Sequence, residues 1–151
     1  MNPAVRHVIA AITLLFTTSA FAETSPPSIE VWKSATCQCC GKWVAHLEAN
    51  DFAVKTNATD TAALKAIKRD AGIPEKLDAC HTGKIDGYVI EGHVLASDIK
   101  RLVAERPDAI GLTVPGMPQG APGMEQADGK TQAYDVLLIK KDGTTQVFAS
   151  H

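Results

Sequence analysis

Three of the chain's four cysteines fall within four residues, Cys37, Cys39 and Cys40 of the stretch ATCQCCGKWVAHL, and the fourth, Cys80, stands beside His81. A thiolate is both a nucleophile and a soft metal ligand. Cys37 and Cys40 alone have the Cys-x-x-Cys spacing of thiol–disulfide exchange, in which one thiol attacks and the other resolves. Cys39 is surplus to that cycle and invites wrong pairings, whereas a soft cation can use all three sulfurs. Two chemistries are therefore open: a redox dithiol of Cys37 and Cys40, and a metal nest built on the whole cluster. Structural stapling fits less well. Bridging the adjacent Cys39 and Cys40 strains disulfide geometry, and a single staple from Cys37 to Cys40 leaves Cys39 as a free thiol, a liability in an oxidising space.

Other donors favour the metal. Cys80 and His81 stand on the approach to a later strand, where thioredoxins carry a cis-proline. Here no proline lies between Pro74 and that strand, which leaves room for a ligand pair. The stretch PGMPQGAPGME holds Met117 and Met124 in a rigid loop, and neutral thioethers suit Cu(I) more than zinc. Four thiolates, or three with a histidine, are also a normal structural zinc set, but zinc sites usually draw paired knuckles from two arms, and here one arm holds three crowded sulfurs. Crowding favours thiolates that bridge several monovalent ions, and four thiolates around as many Cu(I) ions leave no unbalanced charge to bury. The remaining histidines are poorer ligands. His46 lies seven residues beyond Cys39, roughly 10 Å along a helix, and His93 follows Gly92 in a turn, where it is at most a satellite site. Trp43 reads as core or as a lid over the sulfurs.

The elements that must position these groups follow from periodicity. SIEVWKS, residues 28–34, alternates as a first strand, and from Gly41 the pattern turns helical, with Trp43, Val44 and Leu47 on one face, so the cysteines open a helix ending near Asn50. Helix N-termini favour ionised thiols. DFAVKTNAT reads as a second strand, and DTAALKAIKRDAG as a helix capped by Asp or Thr and closed at Gly72. A loop carrying Cys80 and His81 follows, then a strand and turn in IDGYVIEGHV. The next helix is SDIKRLVAERP, capped by Ser97, before a Pro/Gly loop, GLTVPGMPQGAPGME. YDVLLIKKDGTTQVFAS closes the chain as a hairpin about Asp142-Gly143. The expected fold class is α/β, a thioredoxin-like sandwich with a mixed sheet and an added C-terminal β-hairpin.

Residues 1–22 carry Arg6, an apolar run from Val8 to Phe16 and the small-x-small site Ala20-Phe21-Ala22, the pattern of a secretory signal peptide cleaved near Ala22. The run is too short for a membrane span. Residues 23–151 then make one exported, periplasmic domain, expected to be monomeric. A formal net charge of −2 and no lysine or arginine run argue against a nucleic-acid partner.

The stretches CQCCGKWVAHL, ACHT, GYVIEGHV, RPDAIGLTVPGMPQGAPGME and YDVLL resemble the CopG-type periplasmic copper-resistance proteins, a group long catalogued as a domain of unknown function. The resemblance covers essentially the whole mature chain. It implies a thioredoxin-like fold in which Cys37, Cys39, Cys40 and Cys80 bind copper as a thiolate-bridged Cu(I) cluster, acting in copper resistance or handling beside other periplasmic copper-handling proteins. Storage, transfer and redox conversion of copper are not distinguished by it. The expected ligand set adds His81, Met117 and Met124 to the four thiols. The alternative is a thiol–disulfide oxidoreductase with Cys37 attacking and Cys40 resolving.

Overall fold

The computed structural model describes residues 25–151, so the signal segment expected over residues 1–22 lies outside the described residues. The chain runs β1 (Ser28–Lys33), α1 (Gln38–Glu48), β2 (Ala53–Ala58), α2 (Thr61–Asp70), a 3₁₀ turn (Glu75–Leu77), β3 (His81–Ile85), β4 (Tyr88–Glu91), α3 (Ala96–Glu105), β5 (Ala109–Thr113), β6 (Asp135–Lys140) and β7 (Thr145–Ser150). The strands form one mixed sheet of seven in the order β2-β1-β3-β4-β5-β6-β7. β1 runs parallel to β2 and β4 to β5, and the other neighbours are antiparallel.

Period-two alternation divides the strand side chains between two cores. Ile29 and Val31 of β1, Ile90 of β4 and Leu112 of β5 pack with Trp43 and Leu47 of α1 and Ile99 and Leu102 of α3. Val89 and Ile139 join Ile73 and Leu77 in a smaller cluster on the opposite side of the strands. The helix α2 behaves differently. Asp60 caps it by accepting the Ala63 N–H at 2.8 Å, yet its one buried residue is a charged one, Lys68.

Three details depart from the sequence reading. The loop expected to carry Cys80 and His81 is partly strand: His81 begins β3, which turns through Asp86 and Gly87, both at positive φ (48° and 86°), into β4. Positive φ at both central residues is what a two-residue hairpin with right-handed strand twist requires. HTGKI hides its strand character because the inward residues His81 and Thr82 are polar and Gly83 has no side chain. Likewise β5 occupies residues assigned to the Pro/Gly loop, its alternation broken by a bulge between Ala109 and Gly111. Thirdly, Ser97 is inside α3. The cap residue is Leu95, which makes no side-chain cap bond, and the Ala96 N–H donates instead to His46 Nε2 of α1 at 3.1 Å.

Among the described residues, no helix is long and apolar enough to cross a membrane.

Candidate metal centre

The site forms where β1 hands over to α1. Cys37 is the N-cap of α1, with extended backbone (φ −72°, ψ 102°), and its Sγ accepts the Cys40 N–H at 3.4 Å, one of the donors that a helix start leaves unpaired. One turn of helix brings Cys37 and Cys40 together, and they are joined by a disulfide with Cα atoms 5.4 Å apart. Cys39 and Cys80 are free thiols. The Cys39 Sγ lies 3.5 Å from the Cys37 Sγ. Cys80 arrives from the opposite strand, one residue before β3, and all four Sγ atoms lie within 4.8 Å of one another.

Cys80 also belongs to a second group. Its Sγ is 3.4 Å from His81 Nδ1 and 3.4 Å from His93 Nε2, and the three donors are mutually within 4.8 Å. Both imidazoles are fully buried. The His93 Nδ1 faces the Pro122 carbonyl at 2.8 Å. A carbonyl only accepts, so Nδ1 carries the proton and Nε2 turns a lone pair toward Cys80, the arrangement in which a second partner fixes a metal-binding tautomer. His81 packs under Trp43, with ring centroids 4.3 Å apart, and edge-on to His93 at 4.9 Å. His81 Nε2 is buried without a hydrogen-bond partner.

Burial sets the protonation states. It drives His81 down to about 3, with His93 and Lys68 acting in the same direction, and it lowers His93 as well. Cys80 is pushed up to about 11, chiefly by burial and then by Cys39, against a weaker pull from Lys68. Near neutral pH the pocket therefore presents neutral imidazoles around a protonated thiol. A soft cation that replaces the Cys80 proton would find sulfur and nitrogen donors and add the charge they lack. The donor chemistry and the orphaned His81 nitrogen both fit such an ion.

The residues singled out from sequence do not all converge. Cys37, Cys39, Cys40, Cys80 and His81 come together. Met117 is 57% exposed, in a groove with Pro118, Gln132, Tyr134 and Leu137. Met124 is half-buried, its backbone N–H donating to the Ala121 carbonyl at 2.7 Å. The loop carrying Met124 does touch the site, because Gly123 lies against the Cys39 carbonyl and the Trp43 amide. His93, expected in a turn as at most a satellite site, stands with Cys80 and His81 instead. The signal for it was the Asp86-Gly87 hairpin, in which Thr82 pairs with Glu91, so that continuing the register two residues sets Cys80 opposite His93.

The fold and site together define a mixed α/β domain with a pocket of four cysteine sulfurs and two imidazoles. Two solved structures of a copper resistance protein CopG, Form 1 and Form 2, are each 44% identical to this chain with a TM-score of 0.76, covering 83% of this chain and 98% of theirs. A family described as a protein of unknown function, DUF411, matches residues 77–124, the segment running from before Cys80 to Met124. No curated protein is significantly similar. The chain belongs to the CopG family of copper resistance proteins.

Proposed function

We propose that the protein binds copper as Cu(I), through Cys37, Cys39, Cys40 and Cys80 with His81 and His93 at the Cys80 end, and serves copper resistance or handling. The observation that carries this reading is the convergence of four sulfurs from two distant segments within 4.8 Å. The relatives named copper resistance proteins support the choice of metal. The disulfide makes the capacity redox-dependent: the oxidised chain offers two free thiols and the reduced chain all four. Bridging by these thiolates gives a multinuclear cluster. Met117 and Met124, on the Pro/Gly loop that packs against α1 at Gly123, are further ligands in this reading. The order β2-β1-β3-β4, with β1 parallel to β2 and antiparallel to β3, supports a thioredoxin-like core extended at the β5 side by the C-terminal hairpin. The signal pattern of residues 1–22 supports a periplasmic location for residues 23–151, as a monomer.

Anaerobic Cu(I) titration of the reduced, metal-free protein tests the reading. More than one Cu(I) per chain is expected, with a clear thermal stabilisation of ~4 kcal/mol at a free Cu(I) concentration a thousandfold above the dissociation constant. Cys80→Ser should lower both. Equal stoichiometry and equal thermal shift in Cys80→Ser and wild type, or a preference for zinc under competition, would overturn it.

The Cys37–Cys40 disulfide at the start of α1 favours a second reading, a thiol–disulfide oxidoreductase. Insulin reduction at a rate comparable to a thioredoxin would select that reading over copper binding.

A further inference from the structure

A helix that buries a lysine in place of an apolar stripe calls for an explanation. Lys68 of α2 is 4% exposed and Glu91 of β4 is fully buried, and the two form an ion pair. The Lys68 ammonium also donates to Thr82 Oγ1 at 3.0 Å. The Thr82 hydroxyl donates onward to Glu91 Oε2 at 2.7 Å, and the Ala79 N–H donates to Glu91 Oε1 at 2.6 Å. Both carboxylate oxygens are therefore committed. Ala79 and Thr82 are the residues on either side of the dipeptide Cys80-His81.

The backbone pairing shows why that matters. The ladder between β3 and β4 begins at Thr82 and Glu91, and the ladder between β1 and β3 ends at His81 and Lys33. Cys80 lies two residues beyond the first of these ladders and one beyond the second. The Glu91 side chain reaches past the last rung and takes the Ala79 amide, extending the ladder by a side chain where the backbone no longer supplies one. A buried ion pair is in general no more stabilising than apolar residues of the same volume. An apolar pair could fill this space, but it could not hold the Ala79 N–H.

We propose that Lys68 and Glu91 are positioning residues for the metal centre, holding the Cys80 thiol and His81 imidazole where they meet the α1 thiols. The inference rests on the copper-binding reading above. Lys68 orients the carboxylate from below and ties it to Thr82, while the carboxylate fixes the chain just ahead of Cys80. Neither residue touches the ion.

The test is anaerobic Cu(I) competition against a chromophoric chelator, run on reduced wild type, Cys80→Ser and Lys68→Met/Glu91→Leu. The double variant leaves no charge unpaired, so it should melt close to wild type. Its Cu(I) affinity should nonetheless fall roughly 10- to 100-fold, the usual cost of losing a group that orients a metal ligand, and its stoichiometry should approach that of Cys80→Ser. Glu91→Gln keeps an acceptor for the Ala79 amide and should recover part of the loss. A stable double variant with wild-type affinity and stoichiometry would show that the pair serves only the fold. If the double variant does not fold, two other measurements decide: Thr82→Val should weaken Cu(I) binding, and the Ala79 amide of metal-free wild type should exchange slowly with solvent. Wild-type affinity in Thr82→Val, or Ala79 exchange at the open-chain rate, overturns the proposal. Failure of the copper-binding reading looks different, since Cys80→Ser itself would then match wild type.

Discussion

Replacing Gly123 by alanine isolates the contact between the Pro/Gly loop and the cysteine helix. Gly123 has φ +84°, and a Cβ there would stand 2.7 Å from the Cys39 carbonyl oxygen and 2.8 Å from the Trp43 nitrogen. Both obstacles are backbone atoms of α1 and cannot rotate away, so the loop must retreat by roughly 0.5 Å to reach an ordinary C···O separation. Left-handed backbone alone costs an L-residue about 1–2 kcal/mol. The retreat also pulls on Pro122, whose carbonyl accepts the buried His93 Nδ1–H at 2.8 Å, and losing that bond costs ~1–3 kcal/mol. Together these amount to about 2–5 kcal/mol, a fall in Tm on the order of 10 °C for a domain of this size. Gly116 is the matched control, with φ +75° in the same loop and nothing within 4 Å of its added Cβ. Thermal unfolding of reduced, metal-free Gly123→Ala, Gly116→Ala and wild type should show a small loss at 116 and a larger one at 123. Equal losses at the two positions would refute the reasoning, since backbone strain alone would then account for both.

The half-buried His46 and the buried His81 and His93 are all held below the ordinary imidazole value, each chiefly by desolvation. With folded pKa values below the unfolded one, their stability contribution is complete above about pH 6.5 and is lost as pH falls, by up to about 4 kcal/mol per pH unit if all three stay neutral in the fold. Glu125 opposes the shifts of His46 and His93 and blunts the slope. Urea midpoints of the metal-free protein should drop between about pH 6.5 and 4.5, and a flat profile would reject this assignment. His46→Ala should cost about 1 kcal/mol through loss of the α3 cap, with a shallower acid slope; an unchanged urea midpoint and slope would mean that His46 does not cap α3. Trp43 packs on His81 while Trp32 stacks under Lys84 on β1, so copper should quench the emission of Trp32→Phe much more than that of Trp43→Phe, and equal quenching would place the metal elsewhere.

Local signals carried much of the fold. The alternation of β1, the Asp60 cap of α2 and the Asp142-Gly143 turn each lie within a few residues of chain, and each is present as expected. What escaped notice lies where function displaces the hydrophobic code. In β3 the inward positions are taken by His81 and Thr82, so no alternation of apolar residues marks the strand. The cap of α3 escaped because its acceptor, His46, stands fifty residues earlier in the chain, on another helix. The site was legible to the extent that its donors cluster in sequence: Cys37, Cys39 and Cys40 announce themselves, and the Cys80-His81 pair stands out as a dipeptide. His93 becomes visible only through strand register, and Lys68 and Glu91 only through burial, which a charged residue's identity argues against.

α1 is fastened at both ends. Its first turn is covered by Gly123, and near its last turn His46 is bonded to the start of α3, contacts that do not depend on the Cys37–Cys40 disulfide. A helix pinned in this way has little freedom to rotate or slide, so the thiols it presents are held in place before any ion arrives. Much of the ordering entropy that a flexible thiol peptide would lose on metal capture is therefore already spent when the domain folds. Ions then compete by how well their preferred bond lengths and angles match a fixed frame. Discrimination among soft cations becomes a matter of fit, built into the packing of two helices at some distance from the sulfurs.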